Sequence, residues 1–448
     1  MVHFNPLLQI FLAVFLLRSG AQIYLNWLNI SYLRQHGETI PEIFKDTIDP
    51  EKLRGIHAYT VDSDHFQLVA TLVNQGIFLV ILLSGFLPWL VRTISLWKYG
   101  PILSGLIFFA VLSMSTNLFR LPFNLYETFV IEERYGFNVM SLKMWVSDLL
   151  KSLVIVTILG GPLLGLLLVL VIHGGHSWWV WAWMLVGGFE LILLWLFPVV
   201  ILPLFNKFDP IENKGLEENI RNLIGKVGLR AKGIFKMDAS KRSKHTNAFF
   251  VGIGRTKRIV LFDTLLASHT EEEILAVLAH EAGHWKRKHI FRMLVLVEIL
   301  SFVSFYAVSK LLNWSLLYQT FGFQESIVYV GLFLIGTFIS LLGYFAQPLE
   351  SAVSRKFERE ADDFVLKLMK TGEPMRSALK RLAADNLANL NPHPLYAWFY
   401  YSHPPLVERI ERLKLFYPPL GKGESSPPFD KGRLGGIFIS AKRRKRWI

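Results

Sequence analysis

Ala279-His280-Glu281-Ala282-Gly283-His284-Trp285 carries an H-E-x-x-H spacing. Residues four apart share a helix face, so the two imidazoles point the same way and can hold one zinc ion. Glu281 lies about 100° round the helix from His280. It can therefore take a proton from water beside the metal without occupying a ligand position. The helix itself is well signalled. Thr270 is an N-cap candidate with Glu273 three residues on, as a capping box requires. Glu271, Glu272 and Glu273 put negative charge at the positive end of the helix dipole. Ile274, Leu275, Val277 and Leu278 supply a broad apolar surface, which predicts a buried helix.

A catalytic zinc usually takes three protein ligands and keeps one position open. His289 is nearest in sequence, but it follows His284 by five residues and no glycine intervenes. H-E-x-x-H-x-x-G-x-x-H needs six and a glycine. Ser354-Arg355-Lys356-Phe357-Glu358-Arg359-Glu360-Ala361-Asp362 offers a better candidate, with Glu358 and Asp362 one helical turn apart. One reading is a ligating Glu358 with Asp362 accepting the free N–H of a ligand histidine. The other is a solvated, charged helix face.

The setting is a membrane. The chain has 448 residues, 52% of them hydrophobic, and a mean hydropathy of +0.37. It has no cysteine, which excludes disulfides and thiolate metal sites. Apolar runs cover residues 6–28, 67–91, 101–119, 152–172, 178–204, 290–312 and 327–347. Each approaches or exceeds the roughly 20 residues needed to cross about 30 Å of hydrocarbon. Gly160-Gly161-Pro162 should kink the fourth. With seven spans, loops 29–66, 120–151 and 205–289 and the C-terminal region share one side and carry many Lys and Arg, whereas the opposite loops hold only Arg92 and Lys98. The positive-inside rule makes the first side cytoplasmic and puts the N-terminus outside. Arg18, Glu190 and Glu298 fall within spans, with Arg120 at an edge. Their cost at membrane depth predicts a polar interior among the helices.

Between the fifth and sixth spans, residues 216–227 read as an amphipathic helix and 234–237 as a short strand. Residues 247–251 and 258–262 read as two strands joined by a turn at Gly252-Ile253-Gly254. An exposed strand edge beside a metal site could pair with a substrate backbone. After the seventh span come helices over 350–369 and 373–390, and then His403-Pro404-Pro405. From about Pro418 the chain turns to Gly, Pro, Ser and Lys and ends in Lys442-Arg443-Arg444-Lys445-Arg446, which reads as a disordered basic tail. That cluster and the net charge of +13 suit anionic lipid rather than nucleic acid. The expected division is 1–204 (five spans), 205–289 (metalloprotease segment), 290–349 (two spans), 350–417 (third-ligand helix and C-terminal segment) and 418–448 (tail).

Several further segments together resemble the type I CaaX prenyl protease family, which are integral-membrane zinc metalloproteases. Glu132-Glu133-Arg134-Tyr135-Gly136-Phe137-Asn138 is similar to its I-E-x-x-x-G-F-N loop, and Pro203-Leu204-Phe205-Asn206-Lys207-Phe208 to its P-L-F-N-K-F. Asn247-Ala248-Phe249-Phe250 with Arg258 to Leu265 resembles its substrate-edge hairpin. Ser354-Arg355 with Glu358-x-x-Ala361-Asp362 resembles its third-ligand helix, and His403-Pro404-Pro405 with Arg409 its C-terminal motif. These segments run in the family's order over residues 1–417.

The resemblance implies an all-α integral membrane protein, with seven transmembrane helices around a central water-filled chamber. It also implies a zinc metalloprotease domain with a small β-hairpin on the cytoplasmic side. One Zn2+ would be held by His280, His284 and Glu358, with Glu281 as general base. Asp362 would orient a ligand histidine, and Asn247 and Ala248 would hold the substrate strand. His403 and Arg409 would lie near the reacting carbonyl. The family removes the last three residues from proteins isoprenylated on a cysteine near the C-terminus. Two other functions fit a subset of these features: a membrane-protein quality-control protease acting on unprenylated substrates, and a non-enzymatic membrane scaffold. An intact set of His280, Glu281, His284 and Glu358 argues against the scaffold.

Overall fold

The computed structural model describes residues 2–229, 231–252 and 258–414. The tail and the Ile253-Gly254 part of the expected turn lie outside them. Seven helices among the described residues are long and apolar enough to cross a membrane, in agreement with the seven runs in the sequence. In order they are α1 (Pro6–His36), α2 (Pro50–Leu83), α4 (Pro101–Tyr126), α5 (Leu142–His173), α6 (Trp178–Leu196), α9 (His289–Leu311) and α10 (Val328–Met369). Their starts are set locally. Asn5 accepts from Leu8 N at 3.0 Å and Asp49 from Lys52 N at 2.7 Å, each followed by a proline whose missing N–H costs nothing in the first turn. The outward faces are apolar: on α5, Leu150, Leu153, Val154, Val156 and Ile158 are all exposed, as lipid contact requires.

Two boundaries differ from the sequence reading. The expected second span breaks at Gly85, whose φ of 84° is left-handed and suits glycine. Residues Phe86–Ser95 then form a separate helix, α3. The seventh span does not end near residue 347. It continues as one 42-residue helix through the expected third-ligand helix. Gly160, Gly161 and Pro162 lie inside the unbroken helical run of α5.

A cavity of about 840 Å³ opens among α1, α2, α4 and α10, lined by Arg18, Asn74, Gln75, Thr116, Arg120 and Glu127 among others. Of the charged span residues, Arg18 and Arg120 line it, beside many apolar side chains such as Phe15, Phe78 and Phe333. Glu190 and Glu298 lie elsewhere, on α6 and α9. There Gly187 makes room for the Glu298 carboxylate, since a Cβ on Gly187 would meet Oε1 at 2.8 Å.

Beyond the spans sits a second core. It is built on α7 (Lys214–Lys226) and a four-stranded sheet of β1 (Phe208–Pro210), β2 (Gly233–Met237), β3 (Ala248–Val251) and β4 (Arg258–Phe262). It also takes in α8 (Glu271–Lys286), the end of α10, α11 (Glu373–Asp385) and α13 (Leu406–Lys414). The strand order is β1-β2-β4-β3, with β2/β4 parallel and the other pairs antiparallel. The expected hairpin is therefore one side of a larger sheet, and β3 is its edge. Helix α11 stops at Asp385 rather than at residue 390, because the chain turns through Leu387 at a φ of 47°.

Candidate metalloprotease site

Helix α8 starts as its sequence requires. Thr270 Oγ1 accepts from Glu273 N at 3.3 Å and Thr270 N donates to Glu273 Oε2 at 2.8 Å. The same carboxylate receives Ser377 Oγ at 2.6 Å and Arg381 Nε at 3.2 Å, tying the capped end to α11. The apolar surface of α8 is buried on several sides, with Ile274, Ala276, Leu278, Ala279 and Ala282 all in the core. This fixes the helix against α10.

Across that contact three ligand atoms converge. His280 Nε2 lies 3.3 Å from Glu358 Oε2, and His284 Nε2 lies 3.3 Å from Glu358 Oε1. The two Nε2 atoms are 3.2 Å apart. A tetrahedral zinc with bonds of about 2.0–2.1 Å has ligand–ligand edges of about 3.3–3.4 Å, so the donor set has the right size. The chemistry fits too: Glu358 Oε2 is a buried acceptor with no hydrogen bond among the described residues. Such an atom is costly unless a cation meets it.

Behind these groups stands a supporting layer. Asp362, fully buried, lies 2.9 Å from His280 Nδ1. Arg409 grips it with two donors, Nε to Oδ2 at 3.0 Å and Nη2 to Oδ1 at 2.8 Å. Arg409 Nη1 is also 3.6 Å from Glu358 Oε2. Arg409 thus sits buried against the carboxylates. Burial disfavours the charge on its guanidinium, but Asp362 outweighs this and raises its pKa. Burial alone would lower the pKa of His280, yet the Asp362 and Glu358 carboxylates beside it raise it to about 9 in the metal-free chain. Glu281, next on α8, has its carboxyl pKa raised by burial, with the two histidines opposing.

His403 comes from a different direction. Its Nε2 is 3.3 Å from Glu358 Oε1 and its Nδ1 is 2.9 Å from Ser402 Oγ. What holds this loop is Arg355, one turn before Glu358. Its Nη1 donates to the carbonyls of Ala397, Trp398 and Tyr401 at 3.4, 3.1 and 2.7 Å, closing the end of helix α12 (Pro394–Tyr400). Asn247 precedes edge strand β3. Its side chain accepts from Ala248 N at 2.7 Å and its carbonyl from Phe262 N at 3.1 Å. Phe250 of β3 faces Trp285 of α8, with ring centroids 6.1 Å apart. The structure therefore gathers His280, His284, Glu358, Asp362, His403 and Arg409 at one place, with the Asn247–Ala248 edge alongside α8.

The other quoted segments brace this edge. Glu132 receives Tyr59 OH at 2.7 Å and lies 3.3 Å from His245 Nε2, while Phe137 stacks on the His245 ring at 4.0 Å. Asn206 Oδ1 accepts from Arg242, which also pairs with Asp148 at 2.8 Å. Both loops so grip the 238–247 segment that leads into β3. The sequence reading missed one partner. His289, set aside there as a ligand, lies with Nδ1 3.0 Å from His284 Nδ1. The sequence carries no signal for it, because its return depends on the left-handed backbone at Lys288.

Known proteins carry the same organisation. Residues 29–207 match the family description "CAAX prenyl protease N-terminal, five membrane helices", and residues 210–416 match "Peptidase family M48". A CAAX prenyl protease 1 homolog from Arabidopsis thaliana is 36% identical, covering 84% of this chain and 90% of its own. The CAAX prenyl protease 1 of Saccharomyces cerevisiae is 32% identical over 84% of this chain and 88% of its own. The crystal structure of S. mikatae Ste24p superposes with a TM-score of 0.87 at 31% identity, covering 92% of this chain and all of that one. The chain belongs to the type I CaaX prenyl protease family within the M48 metallopeptidases, and is a multi-pass, membrane-embedded metalloprotease.

Proposed function

We propose that this metalloprotease uses zinc and cleaves proteins carrying an isoprenylated cysteine near the C-terminus, releasing the last three residues. The observation that carries the zinc chemistry is the convergence of His280, His284 and Glu358 on one tetrahedron-sized centre. The substrate class rests on relatives named as CAAX prenyl proteases that align over most of the chain.

When bound there, zinc supplies Lewis-acid polarisation of the scissile carbonyl and acidifies water at its open position. The substrate backbone pairs with the β3 edge, where Asn247 and Ala248 hold it in extended form. Glu281 takes the proton of the attacking water and passes it to the leaving amine as the C–N bond breaks. His403 Nε2 stands beside the centre, where a donor stabilises the negative charge developing on the carbonyl oxygen. Asp362 fixes the tautomer of His280, and Arg409 holds Asp362. The excess of Lys and Arg in loops on the sheet side supports a cytoplasmic site and C-terminus, an outside N-terminus, and contact with anionic lipid.

The test is cleavage-site mapping by mass spectrometry on the purified protein, comparing a farnesylated C-terminal peptide with its plain counterpart. Release of the terminal tripeptide from the farnesylated form alone supports the reading. Equal cleavage of both at internal sites would overturn the substrate class in favour of clearance of unprenylated membrane proteins.

A further inference from the structure

We propose that His289 is a positioning residue for the metal site, fixing the tautomer and ring orientation of His284 through a relay that ends on Glu360 and Arg292. The proposal rests on zinc being held by His280, His284 and Glu358.

The direction of the relay follows from elementary chemistry. His284 turns Nε2 toward Glu358 and His280. A neutral imidazole that ligates through Nε2 carries its hydrogen on Nδ1. That hydrogen faces His289 Nδ1 at 3.0 Å, so His289 Nδ1 must accept and its own hydrogen must sit on Nε2. There it meets Glu360 Oε2 at 3.1 Å, the same oxygen that receives Arg292 Nη1 at 2.9 Å. Every donor then faces an acceptor, and the relay ends on a carboxylate neutralised by a guanidinium. His289 is not itself turned to the metal, because both its nitrogens are directed at these two partners.

The rest of the environment holds this ring rather than leaving it free. His289 is 3% exposed. It stacks on Phe357 at 4.3 Å and 4° between planes, and Arg292 lies over the same Phe357 ring at 4.5 Å. Phe357 immediately precedes Glu358, so the residue that fixes the His289 plane is joined to the third ligand. The left-handed backbone at Lys288 (φ 58°) turns the chain between α8 and α9 and brings His289 back under His284. The two ligating histidines are thus supported in parallel. His280 has Asp362 and Arg409 directly behind it, whereas His284 has Glu360 and Arg292 behind an intervening imidazole.

Two variants separate this role from simple packing. Asn at 289 places its Oδ1 where His Nδ1 was, keeping the acceptor for His284. Gln instead puts its polar atoms one bond further out and loses that acceptor. Both lose the ring that stacks on Phe357. The experiment measures zinc affinity of full-length protein in detergent by competition with a chromophoric chelator, with the melting temperature of the metal-free protein as a folding check. We expect His289→Gln and His289→Ala to weaken zinc binding about tenfold to a hundredfold, and His289→Asn, which keeps the acceptor for His284 but not the link to Glu360, to weaken it only several-fold. Glu360→Gln, which leaves the ring in place, should weaken binding several-fold and covers the case in which the Ala variant fails to fold. Zinc held equally by all variants, or His289→Asn as weak as His289→Ala, overturns the proposal alone. A parent protein that binds no zinc would overturn the metal site as well.

Discussion

Gly283 of α8 packs closely against Ala361 of α10: a Cβ on Gly283 would come within 3.1 Å of the Ala361 Cα and of the Phe364 Cβ, tighter than ordinary van der Waals contact. This close approach lies between His280 and His284 on one helix and one turn past Glu358 on the other. The ligands can meet across the contact because the helices do. Replacing Gly283 with Val forces the helices apart, since its nearest neighbours include backbone that cannot swing away. Overpacking of this kind costs about 1–3 kcal/mol. The expected outcome is a lower melting temperature together with substoichiometric zinc by elemental analysis. Full zinc occupancy in Gly283→Val would show that the close approach does not set the ligand geometry.

Glu281→Gln keeps the shape and hydrogen-bonding reach of the side chain but removes the base. We expect the cleavage rate to fall at least about a hundredfold, the low end for general acid–base catalysis, while zinc remains bound at one per chain. Turnover near the parent level would show that another group takes the proton.

Arg409 is buried between Asp362 and Glu358. Arg409→Met removes both guanidinium donors from Asp362 and leaves its buried charge facing His280 alone, a loss approaching the about 3–5 kcal/mol seen when a buried pair is broken. The melting temperature should drop sharply. The double variant with Asp362→Asn should recover part of the loss, because it removes the orphaned charge. Two losses that simply add would show that the residues do not act as a pair.

In the metal-free chain, the carboxylates of Asp362 and Glu358 beside the ring overcome burial and raise the pKa of His280 to about 9. A raised pKa means the ring is protonated at neutral pH, whereas a ligand must be neutral. Zinc uptake at pH 7 should therefore release a proton from His280, and apparent zinc affinity should rise with pH until about 9. Calorimetry in two buffers of different ionisation enthalpy measures the proton count. An affinity flat between pH 6 and 9 would contradict it.

Some of this site is legible in the chain and some is not, for reasons that divide by range. His280, His284, Glu358 and Asp362 are pairs four apart on helices, and the Thr270–Glu273 cap spans a single turn. Local periodicity carries the histidine pair and the cap, whereas for Glu358 and Asp362 it leaves a solvated charged face equally open and the family resemblance makes the choice. The seven spans are legible because lipid demands long apolar runs. The break at Gly85 and the short strand at Phe208–Pro210 are not, because a glycine within an apolar run reads as helix and three residues show no alternation. The grip of Arg355 on the carbonyls before His403 and the return of His289 under His284 depend on tertiary placement and on a left-handed turn. No spacing rule encodes either.

The most direct test of the whole account is X-ray absorption at the zinc edge on the purified protein, read alongside cleavage of a farnesylated C-terminal peptide before and after chelation. The account predicts one zinc per chain with two imidazole nitrogens and a carboxylate oxygen at about 2.0–2.2 Å. It also predicts that cleavage disappears with the metal and returns on adding zinc back. Undiminished cleavage by zinc-free protein, or a metal environment that His284→Ala leaves unchanged, would contradict it.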